Sequence, residues 1–263
     1  MGKRSVTFTT VHTFFRGLEL PHLERSLFSL SKQSVKPDEF VFYDNDTTFS
    51  ENEIRNILKM YLPDTAVVVL DKHGDANNRN ASYCQNRAIK MSSNDTFIFT
   101  KSDCIFREDF YEKVLAQKTD NPMEFIATWM VQMNYHTETG KPHEQVNHAK
   151  DLEITGWRED VKRLAVVTGQ FNPHGGVDAP CFCTTKQAME SVRYYDEHLR
   201  GWTLWQPELQ SNMRKKGVAI KVVEEVCVYH MLHPIPTEEG ERDLPKAHQI
   251  FNSSPRRHDP FFQ

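Results

Sequence analysis

No stretch of about 18 consecutive apolar residues, the length a membrane-spanning helix needs, occurs in the 263-residue sequence. The short β-rich stretch Val6-Thr7-Phe8-Thr9-Thr10 follows the first basic residues directly, where a secretory signal would carry its apolar region. The expectation is a cytoplasmic protein. Cysteine is scarce: Cys84, Cys104, Cys181, Cys183 and Cys227 are odd in number and contain no Cys-x-x-Cys pair, which argues against a disulfide framework. Cys181 and Cys183, two apart, lack the turn that normally separates zinc thiolates, so all five read as core or surface residues. Charge of one sign is lacking as well. With 32 Lys and Arg against 36 Asp and Glu, a net charge of -4 and a pI near 6.3, nothing general attracts the chain to nucleic acid. Arg214-Lys215-Lys216 and Arg256-Arg257 read as a solvated helix end and a tail. His136, His143, His148 and His174 match no zinc spacing and read as solvated loop residues. There is no internal repeat and no low-complexity linker.

What the chain does have is alternation. Its length fits one large domain, expected over residues 1–233 with halves of about 1–120 and 121–233, followed by a charged, Pro-rich tail over 234–263. Val6–Val11 reads as a strand, and Leu23, Leu27 and Leu30 recur at helical spacing after Pro21. Phe40-Val41-Phe42-Tyr43 is a buried-type strand. Ser50 and Glu53 form a capping box for a helix whose apolar face is Ile54, Ile57, Leu58 and Tyr61. Ala66–Leu70, a helix marked by Ala81, Cys84, Ala88 and Met91, and the strand Thr96–Thr100 continue the rhythm, which predicts βαβ units on a largely parallel sheet. Beyond it a strand is expected over Glu124–Tyr135, helices over Thr185–Tyr195 and Pro207–Lys216, and strands over Val218–Val223 and Val226–His230. Residues 136–176 are polar and poorly periodic, the character of a functional loop region.

An open parallel sheet binds ligands beyond the carboxyl ends of its strands. Three polar groups stand at such ends: His12-Thr13, Asp44 to Thr48, and Lys101-Ser102-Asp103. A carboxylate at Asp44 can accept hydrogen bonds from a ribose hydroxyl or a base N–H, or it can simply form an Asx turn. The order of the pieces, from about Ser5 to His233, resembles the family-2-like glycosyltransferases of the GT-A fold. The resemblance is carried by Leu27 to Gln33, by Pro37-Asp-Glu-Phe-Val-Phe-Tyr-Asp44-Asn-Asp46, and by Ala81-Ser-Tyr-Cys-Gln-Asn86-Arg87. It continues through Thr96 to Asp103 and then through Tyr195-Asp-Glu-His-Leu-Arg-Gly201-Trp202, with its following helix up to Gly217. It implies an α/β GT-A domain that moves a sugar from a nucleotide donor, expected to be a UDP-sugar. His12, Thr13, Asp44, Asp46, Arg87, Lys101 and Ser102 would line the donor site. Asp103 with His230 or His233 would hold Mn²⁺ or Mg²⁺, and His230 is the histidine taken here.

Two departures from that family stand out. The metal-binding Asp-x-Asp is Lys101-Ser102-Asp103 here, so a cation replaces the first carboxylate; Lys101 alone neutralising the diphosphate is the rival to a metal. The acidic pair that supplies a general base falls on Trp205-Gln206, neither of which takes a proton at neutral pH. The expected substitutes are Glu208, read otherwise as a helix-start acid, and Asp178 beside Gly175-Gly176; the alternative is a transfer that retains configuration, with the departing phosphate as base. Trp202 and Trp205 would offer flat surface to an acceptor, or plug the core. That acceptor is a glycan, protein, metabolite or hydroxylated DNA base, nucleic acid entering only in this last form. Two rival readings remain open: a nucleotidyltransferase, though Val11 to Gly17 lacks its glycine-rich phosphate loop, and an inactive nucleotide-binding subunit.

Overall fold

The computed structural model describes residues 6–15, 18, 20–45, 49–70, 81–132, 181–199, 205–231, 249 and 252–253. Asp46, Asp178, Trp202, His233, the four loop histidines and nearly all of the tail lie outside them. In chain order the elements are β1 (Thr9–Phe15), α1 (Leu20–Ser31), β2 (Glu39–Asn45), α2 (Glu51–Tyr61), β3 (Ala66–Leu70), α3 (Ala81–Met91) and β4 (Thr96–Lys101). There follow β5 (Cys104–Phe106), α4 (Phe110–Ala116), β6 (Glu124–Gln132), β7 (Phe182–Thr185), α5 (Lys186–Ser191), α6 (Trp205–Lys215) and β8 (Ala219–His230). Among the described residues no helix is long and apolar enough to cross a membrane.

The inner strands β1, β2 and β4 bury both faces, which is why their sequences read as apolar runs, while β3 at the sheet edge is only half-buried. Phe40 and Phe42 of β2 pack with Leu23, Leu27, Leu30, Ile54 and Leu58 of α1 and α2. Val41 and Tyr43, pointing the other way, pack with Cys84, Ala88 and Ile89 of α3. α4 joins the first layer through Phe110 and Val114; α5 and α6 join the second through Met189, Leu209 and Met213. The predicted capping box is present, with Ser50 and Glu53 each serving the other's backbone N–H.

Several boundaries differ from the sequence reading, each for a physical reason. β1 begins later than Val6 and runs through His12 to Phe15, because His12 and Phe14 are enclosed within it. The helix expected over Thr185–Tyr195 stops at Ser191: Thr185 is its N-cap, and Arg193 and Tyr194 take φ of 55° and 63°, a left-handed turn that no helix continues through. α6 starts two residues before Pro207, which sits in the first turn, where its missing N–H costs nothing. It ends on Gly217 at φ 76°, with Val218 N–H returning to the Met213 carbonyl at 2.9 Å. The two late strands are one strand, β8, whose register against β6 jumps from Thr128↔Val223 to Trp129↔Cys227. The short β5 and α4 carry too few residues to show a period and were not foreseen.

The eight strands lie in the order β3-β2-β1-β4-β7-β6-β8-β5. β3, β2, β1, β4, β6 and β8 run one way, and β7 and β5 run the other. The link from β4 to β5 is the decisive feature. Three Cα steps, from Lys101 to Cys104, span at most roughly 11 Å. Four strand positions of a flat sheet span roughly 19 Å. The sheet therefore curls, and the carboxyl end of β8 comes back beside that of β4. Ser102 and Asp103 lie across the seam.

Candidate functional site at the strand ends

The site is built from the carboxyl ends of β2, β1, β4 and β8. Thr13 pairs with Tyr43 on one side and Lys101 on the other, and Phe14 pairs with Asp44. Asp44 and Lys101 thus flank β1, two strand spacings or roughly 10 Å apart. Asp44 is 4% exposed and Asp103 1%.

Asp103 is fixed on both flanks. Its carbonyl accepts the Met231 N–H at 2.7 Å, and its Oδ2 lies 3.0 Å from Nε2 of His230. Its other oxygen accepts the Cys104 thiol at 3.3 Å. On the β1 side the Ser102 N–H and the Ser102 hydroxyl both donate to the Thr13 carbonyl, at 3.0 and 2.9 Å. The Ser102 oxygen also lies 2.8 Å from Nε2 of His12, whose Nδ1 lies 2.8 Å from the Thr100 hydroxyl. From beneath, Ser26 of α1 donates to the Lys101 carbonyl at 3.2 Å, and Phe106 N–H donates to Ser29 at 3.1 Å.

His12 is placed differently from the sequence expectation of a donor contact. Its ring is fully enclosed, against Phe40 and stacked on Phe42. Burial drives its pKa down to about 3, although the Asp103 carboxylate pulls the other way. It reaches the rim only through Ser102.

A second group gathers at the end of β2. Burial lifts the Cys84 thiol to about 12; the Tyr43 hydroxyl and the Arg87 guanidinium oppose the shift, and Asp44 adds to it. Asp44, Tyr43, Cys84 and Arg87 are therefore within electrostatic reach of one another. One terminal nitrogen of Arg87 is buried without a hydrogen-bond partner among the described residues. A half-buried guanidinium with one such nitrogen suits an incoming anion.

Glu208 is 4% exposed in the first turn of α6, where the Asn212 amide donates to its Oε1. That helix packs on the α3 side of the sheet. Trp205 is its first residue. Asn86 of α3 donates to the Tyr195 carbonyl at 3.0 Å and to Glu197 at 2.8 Å, and accepts Tyr195 N–H at 2.9 Å. It thereby ties the chain entering α6 to the donor side.

Sequence reasoning missed Thr100, Ser26 and Met231 as supports of this turn. A signal for one of them existed: Ser26 and Ser29 interrupt the leucine stripe of α1 at buried positions, where a polar side chain needs a partner.

The profile of the family described as "Glycosyl transferase family 2" matches residues 13–182, well over half the chain. The chain belongs to that family. No curated protein sequence matches it. Among solved structures it is similar to a mannosyltransferase from Pyrobaculum calidifontis in complex with GDP-Man and Mn²⁺, with TM-score 0.62 and 11% identity over 90% of this chain and 59% of the other. It is also similar to GalNAc-T7 with UDP, GalNAc and Mn²⁺, with TM-score 0.63 and 12% identity over 88% and 45% of the two chains. A third is S. aureus TarS in complex with UDP, with TM-score 0.58 and 15% identity over 93% and 64%. These likenesses establish the GT-A fold for this member of the family, which spans under two thirds of the length of each of those proteins.

Proposed function

We propose that the chain transfers a glycosyl group from a nucleoside diphosphate sugar to a hydroxyl acceptor. The observation that carries the reading is the Asp103–His230 pair on the seam, in a chain of this family with three polar strand ends converging on it. Asp44 would accept hydrogen bonds from the nucleoside. Arg87 and Lys101 would face the phosphates, Arg87 with the buried nitrogen described above. Ser102 and Thr13 form the floor, with His12 behind them.

Mn²⁺ or Mg²⁺ is tested by the donor set. Two ligand atoms at about 2.1 Å from one ion and at right angles to each other are roughly 3.0 Å apart. Asp103 Oδ2 and His230 Nε2 are 3.0 Å apart. An oxygen and an imidazole suit Mn²⁺, and with no cluster of three or more such residues among those described, phosphate and water would complete the shell. The pair fits the ion. Bound there, it would stabilise the negative charge that builds on the departing diphosphate.

In the transfer, the bond from the anomeric carbon to the diphosphate oxygen breaks and its electron pair leaves with the diphosphate. The acceptor oxygen bonds to the anomeric carbon and gives up its proton. Glu208 and Asp178 are the carboxylates proposed to take it, with Trp202 and Trp205 as the acceptor platform. Donor preference for UDP rests on the resemblance alone, and the acceptor class stays as broad as stated above.

The test is to incubate the protein with UDP- and GDP-sugars and Mn²⁺, measuring nucleoside diphosphate release and thermal stabilisation. Release together with stabilisation supports transfer. Stabilisation without release, from any donor or with any acceptor, leaves a nucleotide-binding subunit, a reading favoured by Trp205-Gln206 at the acidic pair. Neither effect would refute nucleotide-sugar chemistry altogether.

A further inference from the structure

His12 is a buried polar ring one strand away from the proposed metal ligand, reaching the proposed site only through Ser102. Hydrogen-bond accounting shows what it does. The Ser102 hydroxyl has one proton and stands 2.9 Å from the Thr13 carbonyl, which can only accept. If that proton points at His12 instead, two oxygens face each other at 2.9 Å with no hydrogen between them. The Thr100 hydroxyl would then have to use a carbonyl 3.4 Å away, that of Val11. The other arrangement wastes nothing: His12 Nε2–H donates to Ser102, Ser102 donates to Thr13, and Nδ1 accepts from Thr100. Every bond in it is 2.8 or 2.9 Å.

We infer that His12, as the neutral Nε2–H tautomer, is a positioning residue that locks Ser102 onto β1 and so sets where Asp103 stands opposite His230. The inference rests on the proposed metal and diphosphate site and assigns the support on which that site depends. Ser102 receives the lock and Asp103 follows it in sequence, with Met231 N–H fixing Asp103 from the far side of the seam. Without His12 the Ser102 N–H still holds the Thr13 carbonyl, but the Ser102 hydroxyl loses its fixed orientation and the turn can shift about its β8 anchor. The depressed proton affinity of the buried ring keeps it neutral through the physiological range, as the relay requires.

The experiment uses the full chain, with Mn²⁺ binding read by electron paramagnetic resonance in the presence of UDP and, separately, GDP. His12→Phe keeps an aromatic ring against Phe42 and removes the donor; His12→Gln keeps a donor. Loss of a support behind a metal ligand typically costs 10–100-fold in affinity. The expectation is a roughly 10-fold weaker Mn²⁺–nucleotide affinity in His12→Phe, with metal-free nucleoside binding unchanged and partial recovery in His12→Gln. Ser102→Ala should show the same loss, and the double variant no further loss. It stands in if His12→Phe does not fold. In the wild type, imidazole ¹⁵N shifts should report a protonated Nε2 and a bare Nδ1. Unchanged Mn²⁺–nucleotide affinity in His12→Phe or Ser102→Ala, equal losses in His12→Phe and His12→Gln, or an Nδ1–H tautomer would each overturn the inference alone. A wild type that binds nucleotide without any contribution from Mn²⁺ would overturn the metal reading and the inference with it.

Discussion

Acid should weaken this fold through one identifiable residue. His12 has an ordinary value of 6.5 and is driven to about 3 by burial, the Asp103 carboxylate offsetting part of the effect. Below pH 6.5 the unfolded chain takes up a proton at this histidine, whereas the folded chain does not until the pH nears 3. The unfolded state therefore binds more protons throughout that window, and stability falls as the pH is lowered through it. Above it both states are neutral and the residue contributes no slope. Each full unit costs about 1.4 kcal/mol, and the titration curves place the loss at about 2 kcal/mol by pH 5, relative to a plateau above about pH 7. Urea denaturation at about pH 7.5 and pH 5, on wild type and His12→Gln, isolates the term, because titrating groups common to both proteins cancel. Between those two conditions the wild type should lose about 2 kcal/mol more than the variant, whatever the variant's absolute stability. Parallel pH dependences with equal m-values would refute the claim that the ring is buried neutral. The magnitude tests burial, and its sign tests which protonation state the fold selects.

Three further outcomes follow from the site. Asp103→Asn should abolish the Mn²⁺-dependent part of nucleotide-induced thermal stabilisation while the far-ultraviolet spectrum is kept; full stabilisation in excess EDTA by the wild type would instead assign the diphosphate to Lys101. Asp44→Asn should weaken nucleoside binding by about 1.5–3 kcal/mol in calorimetry, the scale of one charge-assisted hydrogen bond, and unchanged affinity would make Asp44 a turn residue. Glu208→Gln keeps size and most hydrogen bonding. If Glu208 is the base, kcat for transfer should drop roughly 10²–10⁴-fold with donor KM little changed, and an unaffected kcat leaves Glu208 as the helix-start acid bonded to Asn212.

The parallel half of the fold was legible because each of its elements is long enough to show a period and carries its own punctuation. Leu23, Leu27 and Leu30 declare α1, the Ser50–Glu53 box declares the start of α2, and α3 was expected at the residues where it lies. The second half was read less well. The three residues of β5 carry no period, and the bulge opposite Thr128 looks in sequence like a break between two strands. Long-range placement was the larger gap. His12-Thr13 reads as a polar strand end, so a ligand contact is the natural expectation. Only the pairing of β1 with β4 brings Thr100 and Ser102 to both ring nitrogens and turns the histidine inward. Conversely, the proximity of Asp103 and His230, 127 positions apart in the chain, follows from the curl of the sheet, which no local pattern encodes.

The seam also explains how a lysine can occupy the position where the family carries its first carboxylate. Two carboxylates close together repel each other and any diphosphate, so a site built from them needs a cation to hold its ligand. With Lys101 two residues before Asp103, the turn is close to neutral before any ion binds. By strand alternation Lys101 follows Phe97 and Phe99 onto the α3 side of the sheet, the side of Arg87, while Thr100 follows Ile98 onto the side of His12. Under the proposed function, Arg87 would offer its cation to phosphate oxygens from one side, and His12 would supply the neutral hydrogen-bonded support behind Ser102 from the other. Part of the diphosphate charge would then be met by Lys101 and Arg87, and the rest by the metal. The Lys101 charge also acts on the Cys104 thiol, which donates to Asp103, so lysine and an ion held by Asp103 and His230 would meet the same diphosphate, the ion where charge would build as the sugar leaves.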